Sequence, residues 1–175
     1  RPRAFDRDAA LAEATRLFWA KGYEATSISD LTEAMGIGSP SLYAAFGNKE
    51  ALFHKALDLY EAEKLEYTRA ALRQPTARKV AEYYLRGGVD VHAADGEPHG
   101  CMGLMSSLAC SPEAESIKAD VIRRRASSQR ALVERFAADA ATSLFGTLSL
   151  WQGVDVPGPS LSLVLIDRIP FPRPD

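Results

Sequence analysis

The sequence predicts an all-α protein that opens with a helix-turn-helix and closes with a tail of different character. Three observations predict it. Apolar residues recur at helical spacing through most of the chain. Capping residues, glycines and prolines interrupt that rhythm at the intervals of short helices. Only after about residue 139 does β-type sequence appear, and nothing earlier offers it a strand to pair with.

The first element is DRDAALAEATRLFWAKGY, an amphipathic helix with Leu11, Ala14, Leu17 and Phe18 on one face and Gly22-Tyr23 at its end. Two shorter helical patterns follow. Their apolar positions Ile28, Leu31, Met35, Ile37, Leu42 and Phe46 are spaced to bury both against a third helix. Gly36 sits where a helix ends most easily in a left-handed residue. Ser39 is predicted to cap the second helix, with Pro40 at its first helical position. Asn48 caps the next helix, read as one continuous element to Leu72 with Phe53, Ala56, Leu57 and Tyr60 on its stripe.

Pro75 breaks that helix, and Thr76 caps another that runs through Val80, Tyr83 and Tyr84 past Gly87-Gly88. Asp95 to Pro98 is a loop, and the small apolar run from Gly100 to Leu108 suits a buried short helix. Ser111-Pro112-Glu113 opens a last helix, with Glu113 and Glu115 complementing its dipole. It continues through Ile117, Val121, Ile122, Leu132, Val133 and Phe136, with Arg123-Arg124-Arg125 read as its solvated face.

Composition excludes several classes. The chain has 175 residues, 46% of them hydrophobic and 25% charged, as in soluble globular proteins. Its formal net charge of -2 supplies no general pull toward nucleic acid. Any attraction must be local, from Arg1, Arg3, Arg7, Lys49 and exposed helix amino termini. No apolar run reaches membrane-spanning length and no leader precedes the first helix, although the chain begins at Arg1 rather than methionine, which leaves room for missing residues ahead. The two cysteines, Cys101 and Cys110, and the three histidines match no zinc spacing. Reduced, buried thiols in a cytoplasmic protein are expected, with no metal and no cofactor.

The ordered stretch LFWAKGYEATSISDLTEAMGIGSPSLYAAFGNKEALF resembles the amino-terminal domain of TetR-family transcriptional regulators over about residues 5 to 60. HGCMGLMSSLACSPEAESIKADVIRRRASSQRALVERF is similar, more weakly, to the ligand-binding half of one TetR subgroup. The family pattern often reads Tyr-x-His-Phe where this chain has Tyr43-Ala44-Ala45-Phe46, so the histidine contact to the DNA backbone is not carried over.

The resemblance implies a helix-turn-helix DNA-binding domain over 1–48, a partial helical ligand-binding domain over 49–139 and a foreign-looking tail over 140–175. It implies a repressor, not an enzyme, that binds a palindromic double-stranded operator and is released by an unidentified small effector. In that reading Ser39, Ser41 and Ala44 face base edges, Pro40 belongs to the same interface at the helix start, and Leu42 and Phe46 anchor the helix from behind. Thr26, Ser27, Tyr43 and Lys49 hold phosphates. The effector cavity draws on Tyr83, Tyr84, His92, Cys101, Met102 and Met105, for each of which plain core packing is the alternative. A homodimer follows from the family, but the long helices that would form its interface are not seen in the sequence.

In the tail, five of the ten prolines fall between Pro157 and Pro174, around the β-type run Leu161 to Ile166. LFGTLSLWQGVDVPGPSLSLVLIDRIPFPRPD closely resembles part of the motor domain of DinG-type helicases. The chain carries neither the glycine-rich phosphate loop nor the Asp-Glu box such chemistry needs. A fusion or frameshift product without regulatory function is therefore the second reading, and a helicase fragment the third.

Overall fold

The computed structural model describes residues 5–108, 111 and 114–138. Expectations placed on Arg1, Arg3, Cys110, Pro112, Glu113 and the tail from 140 to 175 lie outside the described residues. Those described are helical throughout their regular elements: α1 (Arg7–Lys21), α2 (Ile28–Met35), α3 (Ser39–Phe46), α4 (Lys49–Lys64), α5 (Glu66–Leu72), α6 (Ala77–His92), α7 (Met102–Leu108) and α8 (Glu115–Ala137).

Each start has a local cause. Asp6 caps α1 by accepting from the amides of Asp8 and Ala9. Ser27 and Asp30 form a reciprocal capping box at α2. Gly36 ends α2 in the left-handed region at φ 64°, as its position predicted. The start of α3 differs from expectation: Gly38 is the cap, it offers no side chain, and Ser39 is already helical. Asn48 caps α4 through the Ala51 amide and Thr76 caps α6 through the Lys79 amide, both as predicted.

The expected helix from Asn48 to Leu72 is two helices. The chain turns at Leu65, whose φ of -104° and ψ of 12° leave the helical region and divide α4 from α5. Both sides of the break carry good helix formers, so propensity gave no warning. What decides it is packing: α5 lies against α6, where Gly87 meets Tyr67 so closely that an added Cβ would sit 2.6 Å from the Tyr67 ring. Only glycine permits that approach.

The core is continuous from the helix-turn-helix into the later helices. Phe18, Leu31, Leu42, Leu52, Phe53 and Leu57 are buried with Tyr60, Met102, Ile117 and Val121 in one cluster. Phe18 and Phe53 meet edge-on at 5.1 Å between centroids, as do Trp19 and Tyr60. Such pairs lock α1 to α4, so α4 packs with the helix-turn-helix and the later helices together. No described helix is long and apolar enough to cross a membrane.

Candidate nucleic-acid interface and ligand cleft

α3 is a helix with one buried and one open face. Leu42 is fully buried and Phe46 nearly so, while Ser39, Pro40, Tyr43 and Ala44 are exposed and Ser41 is half-buried. Helical periodicity puts Pro40, Tyr43 and Ala44 together on the outer side. The open face carries small side chains around one phenol, which allows a groove edge to approach closely. Arg7 of α1 fixes the far end, donating to the Ala45 carbonyl and lying 5.6 Å over the Phe46 ring.

The residues expected to hold phosphate separate into two groups. Tyr43 is half exposed and Lys49 stands at the first position of α4. The Lys49 ammonium lies 4.3 Å over the Tyr23 ring. Burial lowers its pKa, partly offset by Glu24 and Asp30. Thr26 does not fit its expected role. It is fully buried and its hydroxyl donates to the Gly22 carbonyl at 2.7 Å, because the turn after α1 needs that bond. Ser27 is exposed, but its hydroxyl and amide both donate to Asp30 at 2.8 Å. These bonds hold the Asp30 carboxyl down at about 2, first through the Ser27 amide, then the Ser27 hydroxyl and Lys21.

A second feature is a cleft of about 990 Å³ between α4, α5, α6, α7 and α8. Of the six residues expected there, Tyr84, His92 and Cys101 line it. Tyr83, Met102 and Met105 do not: Tyr83 and Met105 are exposed on outer faces, and Met102 is fully buried in the core. Helical spacing alone does not distinguish these three destinations.

Tyr67, Tyr60, Leu57, Leu65, Val121 and Arg124 complete much of the wall and were not expected in it. Tyr67 stands seven residues beyond Tyr60, two helical turns along the same stripe of the helix expected there, which was a usable signal. Burial pushes the Tyr67 phenol up to about 12.

His92 connects the cleft to α1. Its Nδ1 lies 3.0 Å from the Gly100 carbonyl, and a carbonyl only accepts, so Nδ1 carries the proton. In the neutral ring Nε2 then accepts from the Tyr67 hydroxyl at 3.4 Å. The same Gly100 carbonyl accepts from the Trp19 indole at 2.7 Å, so one backbone oxygen joins the cleft wall to the first helix.

Charged contacts make a second link. Arg124 of α8 reaches Asp58 and Glu61 of α4 at 2.8 Å, and Asp120 on its own helix at the same distance. Burial would lower its pKa, but these carboxylates outweigh that and raise it. His54 of α4 lies 3.2 Å from Asp120, and Ser116 donates to Glu50 at 2.8 Å. The three consecutive arginines are therefore not one solvated face: Arg124 is folded inward.

Residues 10–56 match the family described as bacterial regulatory proteins, tetR family, and residues 101–175 match the helicase C-terminal domain. Among solved structures, the TetR family transcriptional regulator CifR, complexed with 26-base-pair double-strand operator DNA, is 43% identical with a TM-score of 0.75. That likeness covers 81% of this chain and 74% of that one. The HTH-type transcriptional repressor ComR of Escherichia coli is 38% identical over 135 residues, which are 75% of this chain and 64% of ComR. The ATP-dependent helicase DinG of Mycobacterium tuberculosis is 60% identical over 87 residues, 49% of this chain but 13% of DinG. The chain thus spans a small part of the helicases it matches and under two thirds of ComR. The helicase match reaches back across α7 and α8, which the structure packs into the same core as the helix-turn-helix. By its sequence likeness to CifR and the arrangement of its helices, the chain belongs to the tetR family of bacterial regulatory proteins.

Proposed function

We propose that the chain is a DNA-binding transcriptional repressor whose α3 enters the major groove of a palindromic operator and whose cleft takes a small effector that releases it. The observation that carries the reading is the two-faced α3: Leu42 and Phe46 locked in the core, Pro40, Tyr43 and Ala44 open to solvent. Ser39, Ser41 and Ala44 meet base edges, where hydroxyls and a methyl give modest direct readout, and Pro40 opens the helix beside them. Tyr43 and Lys49 hold phosphates and set the register. Thr26 and Ser27 act from behind, shaping the turn and capping α2.

Residues 1–48 form the reading head in this proposal, and 49–139 the effector half. A palindromic site calls for two copies related by a two-fold axis. Release works through the Gly100 carbonyl and the Arg124 network, which tie the cleft walls to α1 and α4. CifR, solved in complex with operator DNA, supports the DNA-binding part of the proposal. Selection from a randomised palindromic duplex library, followed by fluorescence anisotropy on the enriched sequence, tests it. Enrichment of one palindrome supports the reading, and binding that stays indifferent to sequence removes it.

A second reading has its own observation: the helicase-family match over 101–175. It makes the chain a joined product that folds in its helical part and regulates nothing. The same selection separates the two, because a joined product enriches no operator.

A further inference from the structure

Arg123, Arg124 and Arg125 follow one another on α8 and go to three destinations. Arg123 donates to Asp120 beside it. Arg124 is taken up by Asp58, Glu61 and Asp120. Arg125 has no carboxylate partner among the described residues, yet it lines the cleft and acts electrostatically on Tyr84 of α6. Arg130, one and a half turns farther along α8, also lines the cleft and also has no acidic partner among the described residues. Against these cations the cleft wall presents, among the described residues, one carboxylate, Glu61, already spent on Arg124.

We propose that the cleft takes a small organic carboxylate with an apolar body. Its carboxylate is held between the Arg125 guanidinium and the Tyr84 hydroxyl, and its body lies against Leu57, Leu65 and Val121. The proposal rests on the reading of this cleft as the effector site and names the ligand's class. A guanidinium presents paired donors that match the two oxygens of a carboxylate, and its charge persists at any working pH. The phenol adds a donor: burial, then the Cys101 thiol, raise the Tyr84 pKa against the opposing effect of Arg125, so the hydroxyl keeps its proton at neutral pH. The apolar wall asks for a hydrocarbon body rather than a bare anion, and the cleft volume of about 990 Å³ accommodates one.

Calorimetric titration of the full chain with carboxylates from butyrate to decanoate, and with benzoate and phenylacetate, tests the proposal. Each acid is paired with the amide of the same skeleton, and inorganic phosphate is titrated alongside. At least one carboxylate should bind, with its amide weaker by about tenfold or more. Arg125→Gln should erase that difference, Arg125→Lys should restore part of it, and both should melt like the parent because Arg125 is exposed. Equal binding of acid and amide, no binding by any acid, or a difference that survives Arg125→Gln would overturn the proposal. Phosphate binding as tightly as the best acid would overturn the apolar body. Adding the tightest acid to the operator complex then separates the two layers. A carboxylate that binds selectively without releasing DNA leaves the ligand class standing and removes the effector reading. Release by the amides as readily as by the acids keeps the effector reading and removes the ligand class.

Discussion

In the proposed function, single side chains set how the helix-turn-helix docks. Lys49 stands at the start of α4 with its ammonium over Tyr23, held partly out of water before any phosphate arrives. Lys49→Ala should weaken binding to all DNA sequences alike and lower the salt slope by about one unit, read from titrations at several salt concentrations. An unchanged slope takes Lys49 out of the interface. Tyr43→Phe removes one hydroxyl from an exposed ring, so operator affinity should fall by about 1 kcal/mol with the circular dichroism unaltered. Asp30 gives a prediction in pH. Its folded pKa of about 2 lies below the ordinary 3.8, so its contribution is present above 3.8 and fades as pH falls toward 2. The melting temperature of Asp30→Asn should therefore lie below the parent's at neutral pH and converge on it in acid. A gap that persists to about pH 2 would show that the capping box contributes through shape alone.

At the scale of elements, the first three helices were legible because each carries its own signal. Gly36 marks the turn, and Leu31, Leu42 and Phe46 repeat with the period of the buried face. Thr26 was misread because its hydroxyl bond to Gly22 depends on a turn geometry that no spacing rule reveals. The α4–α5 break was hidden for a similar reason: it depends on Tyr67 meeting Gly87, two residues twenty apart in sequence. Half of the expected cleft residues fell elsewhere because helical periodicity says which residues share a face, not which neighbour that face meets. Gly87→Ala tests the contact. A Cβ there would collide with the Tyr67 ring, so stability should fall by about 1–3 kcal/mol in denaturant titration. Little or no loss would mean that Tyr67 can move aside, and the α5–α6 packing would not be what sets the break.

For the molecule as a whole, the described core runs from Ala10 to Val121 and joins the open face of α3 to the cleft walls. Trp19 belongs to that core and its indole shares the Gly100 carbonyl with His92, while Arg124 ties α8 to α4; the proposed coupling runs through these two links. On the reading of the tail as a joined segment, deletion of Leu144 to Asp175 should leave the melting temperature nearly unchanged. A large drop would place the tail in the fold and remove the argument for a joined segment. The central claim is that α3 reads DNA, and amide chemical-shift mapping of the labelled chain with and without its selected operator tests it most directly. The account predicts large shifts at Ser39 to Ala44 and at Lys49, with α6 and the exposed side of α8 nearly silent. Shifts concentrated around Arg123 to Arg130, with α3 unmoved, would contradict it.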